Sequence, residues 1–213
     1  MESVNKNFAV TIGRQFGSGG REIGKLIADK LGIKYYDKEV LAEAARKSGV
    51  KPEFFEATDE RTPKFFNNSN LWSFNIGYNV GAFFIGDSPL TDDSLYRAQS
   101  EAIKSFAEAS SCVIVGRSAD YVLRNFPNLI SVFIHAPIDS CVKRIMQRGE
   151  CADANEAKSL AQKKNKLREN YYNFYTDKAW GDAKSYDLSI DSSKLSSEEI
   201  ADIIVSYIKL RTK

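Results

Sequence analysis

A chain of 213 residues, 43% hydrophobic and 27% charged, fits one soluble globular domain with room for a small insertion. A formal net charge of +2 gives no reason to expect a nucleic-acid polymer or an anionic membrane as partner. A single histidine, His135, and three cysteines without metal-ligand spacing, Cys112, Cys141 and Cys151, exclude a histidine–cysteine zinc site, histidine-based triads and a disulfide framework.

The first eight residues are polar with no long apolar run behind them, and no stretch approaches the roughly 20 apolar residues of a membrane helix. A reducing cytoplasm is the expected setting. Phe8 to Ile12 reads as a buried strand, and Ile23, Leu26, Ile27 and Leu31 mark one face of a helix. Between them lies Gly13-Arg14-Gln15-Phe16-Gly17-Ser18-Gly19-Gly20-Arg21, four glycines within eight residues. A glycine loop between strand and helix can turn several backbone N–H groups onto one anion, with the helix dipole adding positive potential. The simpler alternative is a tight turn that binds nothing.

Ile33 to Tyr36 predicts a second strand ending at Asp37, followed by a helix over Val40, Leu41, Ala44 and Ala45. Residues 52–90 break the rhythm with many aromatics and several glycines, and read as an insertion covering the ligand edge of the sheet. Regularity returns with a core helix from Leu95 to Ala109, a strand over Cys112 to Val115 that ends at Gly116-Arg117, and a short helix over Ala119, Val122 and Leu123. Leu129 to Ile134 is a further strand, and Pro137 opens a helix carrying Val142, Ile145 and Met146. Asp153 to Tyr172 is helical but mostly polar, so a core position is not expected. Tyr186 to Ile190 alternates like a strand. Ser196 with Glu199 fits a capping box, ahead of Ile200, Ile203, Ile204, Tyr207 and Ile208 facing inward. Five strands alternating with helices predict a parallel α/β sheet.

Ligands of an open parallel sheet bind beyond the carboxyl ends of its strands. The glycine loop, Asp37 and Arg117 all fall there. Asp37 could hold magnesium through water, orient an attacking oxygen, or simply cap a helix. Arg117 offers a bidentate fork for a phosphate. Arg144 with Arg148, and Lys164 with Arg168, are pairs four apart on two predicted helices. Two such pairs around a polar segment suggest a cover that brings positive charge to a transferring phosphoryl group. His135, at a strand end, is read as structural.

At this point the chain resembles the cytidylate kinase-like branch of the P-loop nucleoside monophosphate kinases. The residues carrying the likeness are Ile12 to Ile23, Tyr35-Tyr36-Asp37, Val113 to Arg117, Arg168 to Tyr172 and Tyr186 to Ile190. The resemblance implies a three-layer α/β/α core around a five-stranded parallel sheet, in one domain over 1–213. It also implies ATP with magnesium as donor and a nucleoside monophosphate as acceptor. Residues 52–90 would then be the acceptor-side segment and 150–175 the lid. One departure stands out: a standard phosphate loop reads G-x-x-x-x-G-K-[ST], and this one has no lysine. With Arg21 on the lysine, Glu22 replaces the magnesium-binding hydroxyl; in the other register Gly20 takes the lysine's place and Arg21 follows. Arg14, Arg21 or Lys25 could supply the charge. Asn165 stands where related lids tend to carry an aspartate.

The expectation is therefore ATP-dependent phosphoryl transfer to a nucleoside monophosphate or a similar small phosphorylated acceptor. Arg14, Gly17, Ser18, Gly19, Gly20, Arg21 and Glu22 would hold the donor. Asp37 and Arg117 would serve the acceptor, with Asp37 also the candidate metal ligand. Arg21, Arg144, Arg148, Lys164 and Arg168 would act on the transferring group. The alternative is a nucleotide-binding sensor or regulatory protein without turnover. A dinucleotide-binding oxidoreductase fits poorly, because Glu22 falls where the third glycine of G-x-G-x-x-G belongs. The aromatic load of 52–90 makes a homodimer plausible.

Overall fold

The computed structural model describes residues 7–38, 84–85, 88–89 and 92–212. The expected helix over Val40 to Ala45 and nearly all of the 52–90 insertion lie outside the described residues. Within that segment, Phe84–Ile85 pairs antiparallel with Ser88–Pro89.

The main sheet has five strands, β1 (Ala9–Arg14), β2 (Lys34–Tyr36), β3 (Cys112–Val115), β4 (Leu129–His135) and β5 (Leu188–Asp191). Their order is β2-β3-β1-β4-β5, and every pairing is parallel. Side chains of a strand alternate between the two faces of the sheet. Here that alternation divides the core. Val10 and Ile12, Val113 and Val115, and Ile130, Val132 and Ile134 join one cluster. Ala9, Cys112, Ile114 and Leu129 belong to the other.

Helix α1 (Gly20–Leu31) buries Ile23 and Ile27 in the first cluster. Helix α2 (Asp92–Ala109) buries Ile103 and Ala107 in the second, beside the single turn α3 (Ala119–Val122). Helix α4 (Ile138–Gln147) and the long helix α5 (Ala154–Tyr175) follow β4. The closing helix, α6 (Ser197–Arg211), carries the expected capping box and packs on the α1 side. Helices thus cover both faces of the sheet, the three-layer α/β/α arrangement.

One expected inward residue turns outward. Ile203 is 47% exposed, because a helical repeat of 3.6 aligns Ile200, Ile204 and Ile208 and leaves position 203 off that stripe. Met146 of α4 is 38% exposed. Helix α5 is polar in its middle, as expected, but buries Ala157 and Ala161 near its start and Tyr171 and Tyr172 near its end. The two small alanines let it pack closely on α4 around Val142, Ile145 and Cys151.

Candidate functional site

Strand β1 is the middle of the sheet, and the glycine loop leaves its carboxyl end between β3 and β4. The loop's shape follows from how its carbonyls are held. Ser18 donates from its amide and its hydroxyl to the Gln15 carbonyl, at 3.3 and 2.9 Å. The Arg14 carbonyl accepts from Arg168 at 3.2 Å, and the Ser18 carbonyl from the buried Ser192 hydroxyl at 2.7 Å. Arg144 donates to the Gly17 carbonyl at 3.5 Å. With the carbonyls drawn outward, the amides of Gly17, Gly19, Gly20 and Glu22 make no hydrogen bond among the described residues.

Gly17 and Gly19 take the left-handed φ values of +81° and +84° that this course requires. Gly17 also lies so close to α4 that a Cβ there would come within 2.8 Å of the Cys141 backbone oxygen. Gly20 begins α1, so the free amides stand at a helix N-terminus with its partial positive charge. The Phe16 amide is taken instead by the Asn165 side chain of α5, at 2.7 Å. The Phe16 ring packs into the α4–α5 cluster, with the guanidinium groups of Arg148 and Arg168 at 5.8 and 5.5 Å from its centre. Loop and lid-like helix are therefore joined.

Beside the loop is a cavity lined by Gly13, Arg14, Gly116, Arg117, Ser118 and Arg168, with Thr11 and Ile12 below them. Its far wall is Asp120, Tyr171, Tyr172, Trp180 and Tyr186. Arg117 is buried at φ +61° and Ser118 follows at +51°, both left-handed and both in the cavity lining. The Thr11 and Ser118 hydroxyls, both on residues of the cavity lining, are buried without a hydrogen-bond partner. Asp120, 7% exposed, accepts a 2.6 Å hydrogen bond from the Tyr172 hydroxyl. Burial raises the Asp120 carboxyl above the usual carboxylate range, and raises Tyr172 and Tyr186 above that of a phenol.

The other expected site residues have these positions. Arg21 and Asp37 form an ion pair at 2.8 Å, Asp37 almost buried and Arg21 62% exposed. Next to it, Tyr35 is pushed up to about 12, first by burial and then by the Asp37 charge. Asp37 thus pairs with Arg21, and no group of three or more metal-binding side chains occurs among the described residues. Arg144, expected over the transferring group, lies behind the loop, where it donates to the Ser192 hydroxyl at 3.2 Å and to its carbonyl. Arg148 pairs with Glu150 at 2.8 Å. Lys164 stands one turn before Arg168 on α5, outside the cavity lining.

Sequence reasoning singled out neither Asp120 nor Ser192. Asp120 sits in an unremarked helical turn, and Ser192 in a serine pair without motif. The His135 carbonyl, at the end of β4, accepts from the Ser192 amide at 2.8 Å. Cys112 is in the core, its thiol pushed up to about 11 by burial. No described helix is long and apolar enough to cross a membrane.

Known proteins share this arrangement. A structure of an uncharacterized protein from Eubacterium ventriosum ATCC 27560 superposes with a TM-score of 0.71 at 30% identity, covering 96% of this chain and all of that one. A shikimate kinase from Acinetobacter baumannii, in complex with shikimate, gives 0.53 at 12% identity, covering 97% and 95%; it shares the fold alone. The cytidylate kinase of Methanosarcina barkeri (strain Fusaro / DSM 804) is 24% identical over 205 residues, 92% of this chain and 93% of that protein. The pattern of the cytidylate kinase-like family runs through residues 9–194, from the first residue of β1 to just beyond β5, and the chain belongs to that family.

Proposed function

We propose that the protein transfers the terminal phosphoryl group of ATP to a nucleoside monophosphate or a similar small phosphorylated acceptor. The observation that carries this reading is the loop itself, whose carbonyls are held by side chains while the amides of Gly17, Gly19, Gly20 and Glu22 make no hydrogen bond among the described residues, next to the start of α1. Donor phosphates would occupy that nest. The adjoining cavity, with Arg117 and Arg168 on its wall, would hold the acceptor's phosphate. An oxygen of that phosphate bonds to the terminal phosphorus of the donor. The bond from that phosphorus to the bridging oxygen breaks, and ADP leaves with the electron pair. The arginines offset charge spread over the equatorial oxygens, and positioning does the rest.

Arg21, held by Asp37, would border the nest from the first turn of α1. Arg144 and Arg148 would support it from behind and from the lid. Cytidylate is the first acceptor to try, since the archaeal relative carries that name. Asp37 would hold magnesium through water in this reading. The alternative of a nucleotide sensor without turnover draws no support from the relatives, two of which are named cytidylate kinase.

The deciding experiment is a transfer screen with ATP and magnesium against the common nucleoside monophosphates, read by nucleoside diphosphate formation. Turnover with at least one acceptor is expected. Tight ATP binding with no acceptor phosphorylated would reject the kinase reading and favour the sensor.

A further inference from the structure

We infer that Arg14 is the cation of this phosphate loop, occupying the place a lysine fills in the standard motif. The inference rests on the reading that donor phosphates lie in the nest. In G-x-x-x-x-G-K-[ST], a lysine follows the second glycine. With Gly19 as that second glycine, the lysine position is Gly20 and the first-glycine position is Arg14. Glycine and cation have changed places within one motif.

The geometry shows why the two changes belong together. A Cβ at Gly20 would lie 2.6 Å from Cβ and 3.1 Å from Cγ of Arg14. The stem of Arg14 runs through the volume where a side chain at position 20 would begin. Those are the first atoms of the stem, which cannot swing aside as a flexible tip could. Farther out, a Cβ at Gly116 would overlap Nη1 of Arg14. Two glycines from different strand ends, Gly20 after β1 and Gly116 after β3, thus clear a channel for one arginine. That channel borders the cavity, which Arg14 lines with Gly13, Arg117 and Arg168.

Arg21, the other cation of the loop, points elsewhere: its Nε and Nη2 both meet Oδ2 of Asp37, at 3.1 and 2.8 Å. In this register Arg21 stands at the Ser/Thr position, and its guanidinium, not a hydroxyl, faces the acidic residue after β2. Arg14 is fixed at its base as well, since its own carbonyl accepts from Arg168. A planar guanidinium with several donors can bridge oxygens of two neighbouring phosphates. The assigned role is to bind the outer phosphates of the donor.

The test uses Arg14→Met and the double variant R14G/G20K, which restores the standard order of glycine and lysine. Affinities for ATP, AMP and inorganic tripolyphosphate are measured by calorimetry, with thermal melting as the fold control. Arg14→Met is expected to weaken ATP and tripolyphosphate about tenfold or more, leaving AMP within about twofold. R14G/G20K should recover most of the ATP-over-AMP preference. An unchanged preference in Arg14→Met, or an equal loss for all three ligands, would overturn the assignment. So would a wild type that binds tripolyphosphate no better than AMP. A wild type that binds tripolyphosphate through Arg14 yet phosphorylates no acceptor leaves this assignment standing and removes the transferase reading alone.

Discussion

Replacing Tyr172 with phenylalanine removes one oxygen and little volume, so it tests the bond to Asp120 together with the weaker contact to the Tyr186 hydroxyl. Both residues are nearly buried, at 4% and 7% exposure, and the bond is 2.6 Å long. A hydrogen bond to a charged partner contributes roughly 1.5–3 kcal/mol, and leaving a buried acceptor short of a donor adds to the loss. Taking about 2 kcal/mol, and about 2–4 °C of melting temperature per kcal/mol for a chain of this size, the midpoint should fall by about 4–8 °C. Circular dichroism melts at pH 7 measure it. Asp120→Asn gives the contrast. Burial is the largest influence on that carboxyl and raises its pKa, so removing the charge while keeping an acceptor should cost less than Tyr172→Phe. The sign in pH follows: the stability tied to the neutral form of Asp120 is complete below the usual aspartate pKa and declines as pH rises through the raised one. A Tyr172→Phe midpoint within about 1 °C of wild type would refute the idea that this bond ties α5 to the cavity floor.

Gly17→Ala should destabilise by about 2 kcal/mol or more, since a side chain at φ +81° is strained and its Cβ would press on the Cys141 backbone; urea unfolding reads this directly. Ser192→Ala removes the single hydroxyl donor that reaches the Ser18 and His135 carbonyls, and should cost about 1–2 kcal/mol while weakening tripolyphosphate binding. Equal phosphate affinity in that variant would separate the loop's shape from Ser192. Tyr35, pushed up to about 12, should ionise late in an alkaline absorbance titration, and Tyr35→Phe should remove one phenol from the late-ionising group that also holds Tyr172 and Tyr186. Its contribution to stability is whole below the unfolded phenol value of about 10 and is lost as pH rises through about 12.

Much of the fold could be read in advance because the cues were local. The strands declared themselves by short apolar runs or, at Tyr186 to Ile190, by alternation, and Ser196 with Glu199 announced the cap of α6. The glycine loop was legible because its glycines sit directly between strand and helix. Face assignments failed where a list of apolar residues replaced the helical angle, as at Ile203. Contacts that join distant parts of the chain left no trace in sequence. Asp120 and Tyr172 are 52 residues apart, Phe16 and Asn165 are 149 apart, and neither pair has a spacing to notice. The periodicity of Arg144 and Arg148 placed both on one helix, but gave no hint that Arg144 would lie beneath the loop, against Ser192. The partnership of Arg14 with Gly20 needed the position of an absent Cβ.

Arg117 and Ser118 adopt positive φ with full side chains, side by side, at 61° and 51°. Such a conformation costs about 1–2 kcal/mol per residue, and glycine would relieve it at either position. A chain shaped by folding alone has no use for that tension. Selection for heat resistance in the laboratory, with no demand for ligand, should therefore rewrite this corner early, and the order in which the two residues give way would rank how much each matters to whatever binds there.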